Sequence, residues 1–308
     1  MMRMKLGNEL DVPVVGLGCM RIWDKPISDV ERLIATSLEL GIDFFDHADI
    51  YGGGRSEEVF AQALKNLKIP RDKVIIQTKC GIRSGFYDLS KEHIISSVEN
   101  ALKRLDTDYI DVLLLHRPDT LMEPEEIAEA FGYVHSKGYV RYFGVSNFNS
   151  MQIELLSSAV QHKLLTNQLQ LSLTNTGMID SGIFTNTKFH QSINRDGNVL
   201  EYCRLKGITI QAWSPFQYGN EYGNIQGTFI DNPLFPDLNL KLEYLAQKYS
   251  VSKEAIAIAW ILRHPAKIQP IVGTTNPERL RKIAQATEVE LTREEWYSLY
   301  ISAGNMIP

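Results

Sequence analysis

The chain has 308 residues, of which 44% are hydrophobic and 22% charged, with a net charge of −5. That composition excludes a disordered chain and argues against nucleic acid or an anionic membrane surface as the main partner. Cys19, Cys80 and Cys203 are few and widely spaced, with no CxxC pair, so neither a disulfide framework nor a bound metal is expected, and a reducing cytoplasm is the expected compartment.

The opening MMRMKLGNEL lacks the apolar run of a signal peptide, and nowhere does an apolar stretch reach the roughly 18 residues of a membrane span. A hairpin turning at Gly7-Asn8 precedes a first strand, VVGLG. Ser28-Asp29-Val30-Glu31 reads as a capping box opening a helix that stops at Gly41. IDFFDHAD is the second strand, and Ser56-Glu57-Glu58 opens the second helix. VIIQTK (74–79) is the third strand, Ser90 to Arg104 is helical, and YIDVLLLH (109–116) is a strand apolar enough for burial on both faces. EPEEIAEAFGYVHSKG is a helix closing at Gly138, and RYFGVSN, LLTNQLQ, ITIQAWSPF and IQPIVGTT supply four more strands.

Eight strands alternating with helical runs predict a single domain over 1–308, a (β/α)₈ TIM barrel with a short N-terminal β-hairpin. A doubly wound sheet binding a dinucleotide would carry a Gly-rich fingerprint after its first strand. Gly16-Leu17-Gly18 lacks the third glycine, and Gly52-Gly53-Gly54 lacks the Lys-Ser/Thr of a phosphate loop. Residues 172–196 and 217–238 are polar, long and weakly periodic, and are read as extra loops over the C-terminal face, where barrel active sites sit.

Polar residues gather at three consecutive strand ends: Asp46 with Tyr51 after the second, Lys79 at the third, His116 at the fourth. Together they suit carbonyl reduction by hydride transfer. A tyrosine can protonate the developing oxyanion, but its ordinary pKa is about 10. A neighbouring ammonium favours the phenolate and makes the tyrosine a better acid, and a carboxylate keeps that ammonium charged. A neutral histidine can hydrogen-bond the carbonyl oxygen and fix its angle. These roles fall to Tyr51, Lys79, Asp46 and His116.

GIDFFDHADIYGGGRSEEVFAQAL, VIIQTKCG, LKRLDTDYIDVLLLHRPD, RYFGVSNF, LTNQLQLS, AWSPF and VGTTNPERL, in this order, make the chain resemble the aldo-keto reductases over nearly its whole length. The resemblance implies a soluble oxidoreductase acting on a small carbonyl compound with NADPH, with NADH as the alternative cofactor. It implies that Ser146, Asn147 and Gln168 hold the nicotinamide carboxamide, that Trp213 stacks on the ring, and that Ser214 and Phe216 approach the pyrophosphate. Gly273, Thr274, Thr275 and Arg279 would surround the adenosine phosphates, at a helix N-terminus suited to anions, with Arg279 suited to a 2′-phosphate. The chain departs from the family where Gly273 replaces a common lysine, where Lys282 and Ile283 replace an acid and an asparagine, and where His47 replaces a common threonine.

Trp23, Phe86, Tyr87, Tyr218 and Phe229, on segments 20–25, 83–88 and 217–238, are candidate walls of a substrate pocket. Two other classes of function compete. One is a cofactor-binding regulatory subunit resembling potassium-channel β subunits, disfavoured by a barrel that begins within 15 residues of Met1. The other is a lyase or aldolase using Lys79 as a Schiff base. An NADH-preferring alcohol dehydrogenase is the alternative within the same fold.

Overall fold

A computed structural model describes residues 1–220 and 224–308. Eight parallel strands close a barrel in chain order: β1 (Gly16–Gly18), β2 (Phe44–Asp46), β3 (Ile75–Cys80), β4 (Ile110–Leu115), β5 (Val140–Ser146), β6 (Leu164–Gln170), β7 (Thr209–Trp213) and β8 (Gln269–Val272). β8 pairs back onto β1, so the sheet has no edge. This is the (β/α)₈ fold that the alternation of strand and helix predicts. Among the described residues no helix is long and apolar enough to cross a membrane.

The hairpin forms as read, Arg3–Leu6 pairing with Leu10–Pro13 across left-handed Gly7 and Asn8. It seals the N-terminal end of the barrel. Gly7 N–H donates to Thr209 Oγ1 at 2.9 Å, and Leu6 and Val12 pack with Phe44, Val112, Leu114, Leu165 and Ile271. A Cβ on Gly7 would lie 2.7 Å from Leu165 Cα, so this turn needs glycine for space as well as for its positive φ.

Several local expectations are corrected. The first helix, α1 (Ile27–Glu39), starts on Pro26 with no side-chain cap, so Ser28 to Glu31 is not a capping box. The second, α2 (Arg55–Asn66), starts one residue before Ser56, whose hydroxyl turns inward to the Cys19 carbonyl. The third, α3 (Lys91–Arg104), begins just after Ser90, whose side chain caps it by accepting from the His93 N–H, and Gly138 adopts the left-handed conformation just past the fourth. The segment 172–196 holds a short helix, Gly177–Ile183, tied to the C-terminal helix by Tyr300 Oη donating to Asp180 Oδ1 at 2.6 Å. The segment 217–238 holds a second hairpin, Gln217–Gly219 with Ile225–Thr228, and the start of a helix at Pro236. Residues 221–223 of that segment lie outside the described residues.

Candidate active site

The C-terminal ends of the strands open into a cleft of about 700 Å³. Asp46 ends β2 and Lys79 is the fifth residue of β3, where alternation along each strand turns both side chains inward. Lys79 Nζ donates to both Asp46 carboxylate oxygens at 2.7 Å, to the His47 carbonyl at 2.8 Å and to Tyr51 Oη at 3.3 Å. Both members of the ion pair are buried, with Lys79 beneath the cleft floor and Asp46, Tyr51 and His116 lining it. His116 faces Tyr51 edge-on, ring centres 6.1 Å apart. The structure therefore brings the four residues into one constellation.

Their charges follow from burial and from each other. Burial pulls the Lys79 ammonium towards neutrality, but Asp46, and then Tyr51, reverse this and leave its pKa above the ordinary value. Burial of His116, helped by Lys79 and Arg117, pushes its pKa well down and keeps the imidazole neutral. Tyr51 feels Lys79 as the sequence reading expects, and burial adds an opposing effect. Burial raises its pKa more than Lys79 lowers it, so the hydroxyl stays protonated and the ammonium only moderates the rise.

The cofactor candidates are less uniform. Ser146, Asn147, Gln168, Trp213, Ser214, Phe216, Gly273, Thr274 and Arg279 all line the same cleft, whereas Thr275 faces a separate surface depression against α1. Asn147, in the left-handed conformation, is committed within the protein: Nδ2 donates to the His116 carbonyl and Ser146 Oγ, and Oδ1 accepts from Trp213 Nε1 at 3.1 Å. The candidate substrate walls fare worse. Phe229 is core, with no exposed surface. Trp23 packs over Gly52, Tyr218 packs on Phe235 at 5.1 Å, and exposed Phe86 and Tyr87 form a small hairpin with Ile82 and Arg83; none of these four lines the cleft. In their place stand Met20, Arg21, Ile50, Ile82, Arg117 and Ile225. Arg117 was open to discovery, since it directly follows the strand-end histidine.

The match to the aldo/keto reductase family covers residues 14–301. The chain belongs to the aldo/keto reductase family. It is 36% identical to a 6-dehydroglucose reductase of Agrobacterium fabrum, over 98% of both chains, and 33% identical to the oxidoreductase YdhF of Escherichia coli, over 95% of this chain and 93% of the other. Among solved structures, a thermostable aldo-keto reductase crystallised with the inhibitor epalrestat superposes with a TM-score of 0.78 at 28% identity, covering 98% of this chain and 100% of its own. This reductase is thus an NAD(P)H-dependent oxidoreductase.

Beside the floor of the cleft lies a second buried polar group. Glu57 on α2 accepts from Thr78 Oγ1 at 2.6 Å and from Arg104 Nε on α3 at 2.6 Å. Asp49, between Asp46 and Tyr51, has a buried oxygen with no partner among the described residues; burial, and next Glu57, push its carboxyl up to about 7. His47 is enclosed as well, its two ring nitrogens without a partner among the described residues and its pKa pushed down to about 3 by burial and Lys79, so it stays neutral.

Asp49 makes stability fall with rising pH. The unfolded chain ionises near the ordinary carboxylate value of 3.8, whereas the folded form holds its proton until about 7. Between those values the unfolded state binds fewer protons, so stability is lost across that window and levels off above it. Asp49→Asn should flatten that decline, stabilising the protein by on the order of a few kcal/mol near pH 8. Chemical denaturation from about pH 4 to 8 checks this, and an equal decline in both proteins would contradict it.

Proposed function

We propose that this reductase converts aldehydes or ketones to alcohols with NADPH, Tyr51 giving the proton. The observation that carries the reading is Lys79 Nζ, shared between Asp46 and the Tyr51 hydroxyl 3.3 Å away. An ammonium in that position stabilises the phenolate left when Tyr51 protonates the carbonyl oxygen. Neutral His116, whose Nδ1 is buried, keeps its other ring nitrogen to hydrogen-bond the same oxygen. The pair also speaks against a Schiff base, because Asp46 holds Lys79 as an ammonium, which has no lone pair for attack.

The cleft residues fit a nicotinamide cofactor. Gln168 spends its amide nitrogen on Asp46 and Gln211, leaving Oε1 for a carboxamide N–H. Arg279 lines the cleft with no carboxylate partner among the described residues, as a phosphate reader would. When bound, the reduced nicotinamide supplies the hydride. NADH remains the second reading for a specific reason: Gly273 offers no cation, and Glu254 lines the same cleft, while Asp231, which also lines it, is neutralised by Lys253. The name of the Agrobacterium relative puts a 6-dehydro sugar first on a carbonyl panel.

Tyr51→Phe removes only the hydroxyl, so turnover on the best carbonyl should fall roughly 10²- to 10⁴-fold with cofactor binding nearly intact. Retention of more than about a tenth of the wild-type rate would remove Tyr51 from the acid role. Arg279→Ala should weaken NADPH by roughly ten- to a hundred-fold and leave NADH nearly unchanged, since only NADPH carries the 2′-phosphate. Direct titration of both cofactors checks this, and an equal loss for both would favour the NADH reading.

A further inference from the structure

Three glutamines sit where a barrel interior ordinarily packs branched aliphatic side chains. Gln77 on β3, Gln211 on β7 and Gln269 on β8 have no exposed surface. With Gln168 they form one connected chain. Gln269 Nε2 donates to the Pro13 carbonyl at 2.7 Å, and Gln211 Nε2 donates to Gln269 Oε1 at 2.8 Å. Gln211 Oε1 then accepts from both Gln77 Nε2 at 2.9 Å and Gln168 Nε2 at 3.2 Å. Those two nitrogens also donate to the same catalytic oxygen, Asp46 Oδ1, at 2.6 and 3.1 Å. Strand register supports the arrangement by pairing Gln168 with Gln211, Gln211 with Gln269, and Asp46 with Gln77.

The orientation of every amide follows from the two ends. A backbone carbonyl and a carboxylate can only accept. Pro13 therefore forces Gln269 to present its nitrogen downward and its oxygen to Gln211. Gln211 must then give Nε2 to Gln269 and turn Oε1 towards the catalytic side. The carboxylate at the other end independently demands nitrogen from Gln77 and Gln168. The two demands agree, and among the described residues Gln211 is the link that satisfies both.

We propose that Gln211 is a positioning residue for the reduction: it touches neither cleft nor reactants, and it holds the amide nitrogens of Gln77 and Gln168 on Asp46, fixing the Asp46–Lys79–Tyr51 geometry. The inference rests on the reductase reading of the site. It also ties the cofactor to the proton donor, because Gln168, with an oxygen left for the carboxamide, is one of the two glutamines that Gln211 aligns. The two amide donors spread the negative charge of Asp46. Without their anchor, more of that charge acts on Tyr51 and holds its proton more tightly, in the direction in which Asp46 already pushes it.

Gln211→Met keeps length and burial and removes both the acceptor and the donor. We expect kcat to fall about ten-fold or more, the scale of a lost hydrogen bond on a charged group. The alkaline limb of the pH–rate profile should move upward. The titration of Tyr51 in the cofactor-free protein, read as tyrosinate absorbance against matched Tyr51→Phe partners, should move the same way. Gln269→Met, one link further from Asp46, should produce a smaller shift of the same sign, and it carries the test alone if Gln211→Met does not fold. A loss of stability with an unchanged profile and unchanged Tyr51 titration, in either variant, overturns the proposal. A wild-type protein that reduces no carbonyl defeats the reductase reading instead, and the tyrosinate titration still decides whether Gln211 acts on Tyr51.

Discussion

The site depends on one buried ion pair. Lys79 and Asp46 are withdrawn from water inside the barrel, and an ion pair so placed loses more hydration than its attraction returns unless other hydrogen bonds complete it. Here they do: the His47 carbonyl and the Tyr51 hydroxyl take up Lys79, while Gln77 and Gln168 take up Asp46. The pair is what gives Tyr51 a cation at 3.3 Å in a setting otherwise hostile to its phenolate. Were Lys79 neutral, burial alone would set the tyrosine, and it would be a poor acid.

The barrel makes the pair affordable in geometric terms. A closed parallel sheet fixes β2, β3 and β6 relative to one another, so side chains from β3 and β6 meet on the Asp46 carboxylate of β2 without a loop having to hold them. At the opposite end the hairpin plugs the barrel and lends the Pro13 carbonyl to the glutamine chain. Polar order thus runs from the hairpin to the mouth, beside the apolar cluster of Leu6, Val12, Phe44, Val112, Leu114, Leu165 and Ile271.

The barrel and the meeting of Asp46, Tyr51, Lys79 and His116 at its mouth were legible in the sequence because each rests on a local rule. Strand and helix periods alternate along the whole chain, and Asp46, Lys79 and His116 close three successive apolar runs. The substrate walls were not legible. Large aromatic residues on loops looked suitable, but Phe229 is used as core and Tyr218 stacks on Phe235, contacts that depend on how distant segments fold back. The glutamine chain was half-visible: Gln77, Gln211 and Gln269 interrupt apolar strands, and each breaks the pattern of its own segment. Only register and closure show that the three meet. The net direction of the Tyr51 shift was not legible for another reason. Sequence names the neighbouring charge but not the depth of burial, and here burial outweighs the charge.

The central claim is that Lys79 acts as a permanent ammonium on Tyr51. Its most direct test is the pH–rate profile of carbonyl reduction for wild type and Lys79→Met, which keeps most of the side-chain length and removes the charge. The account predicts that reduction near neutral pH collapses and that the alkaline limb set by Tyr51 moves upward. A Lys79→Met enzyme that reduces carbonyls with an unchanged profile would contradict it.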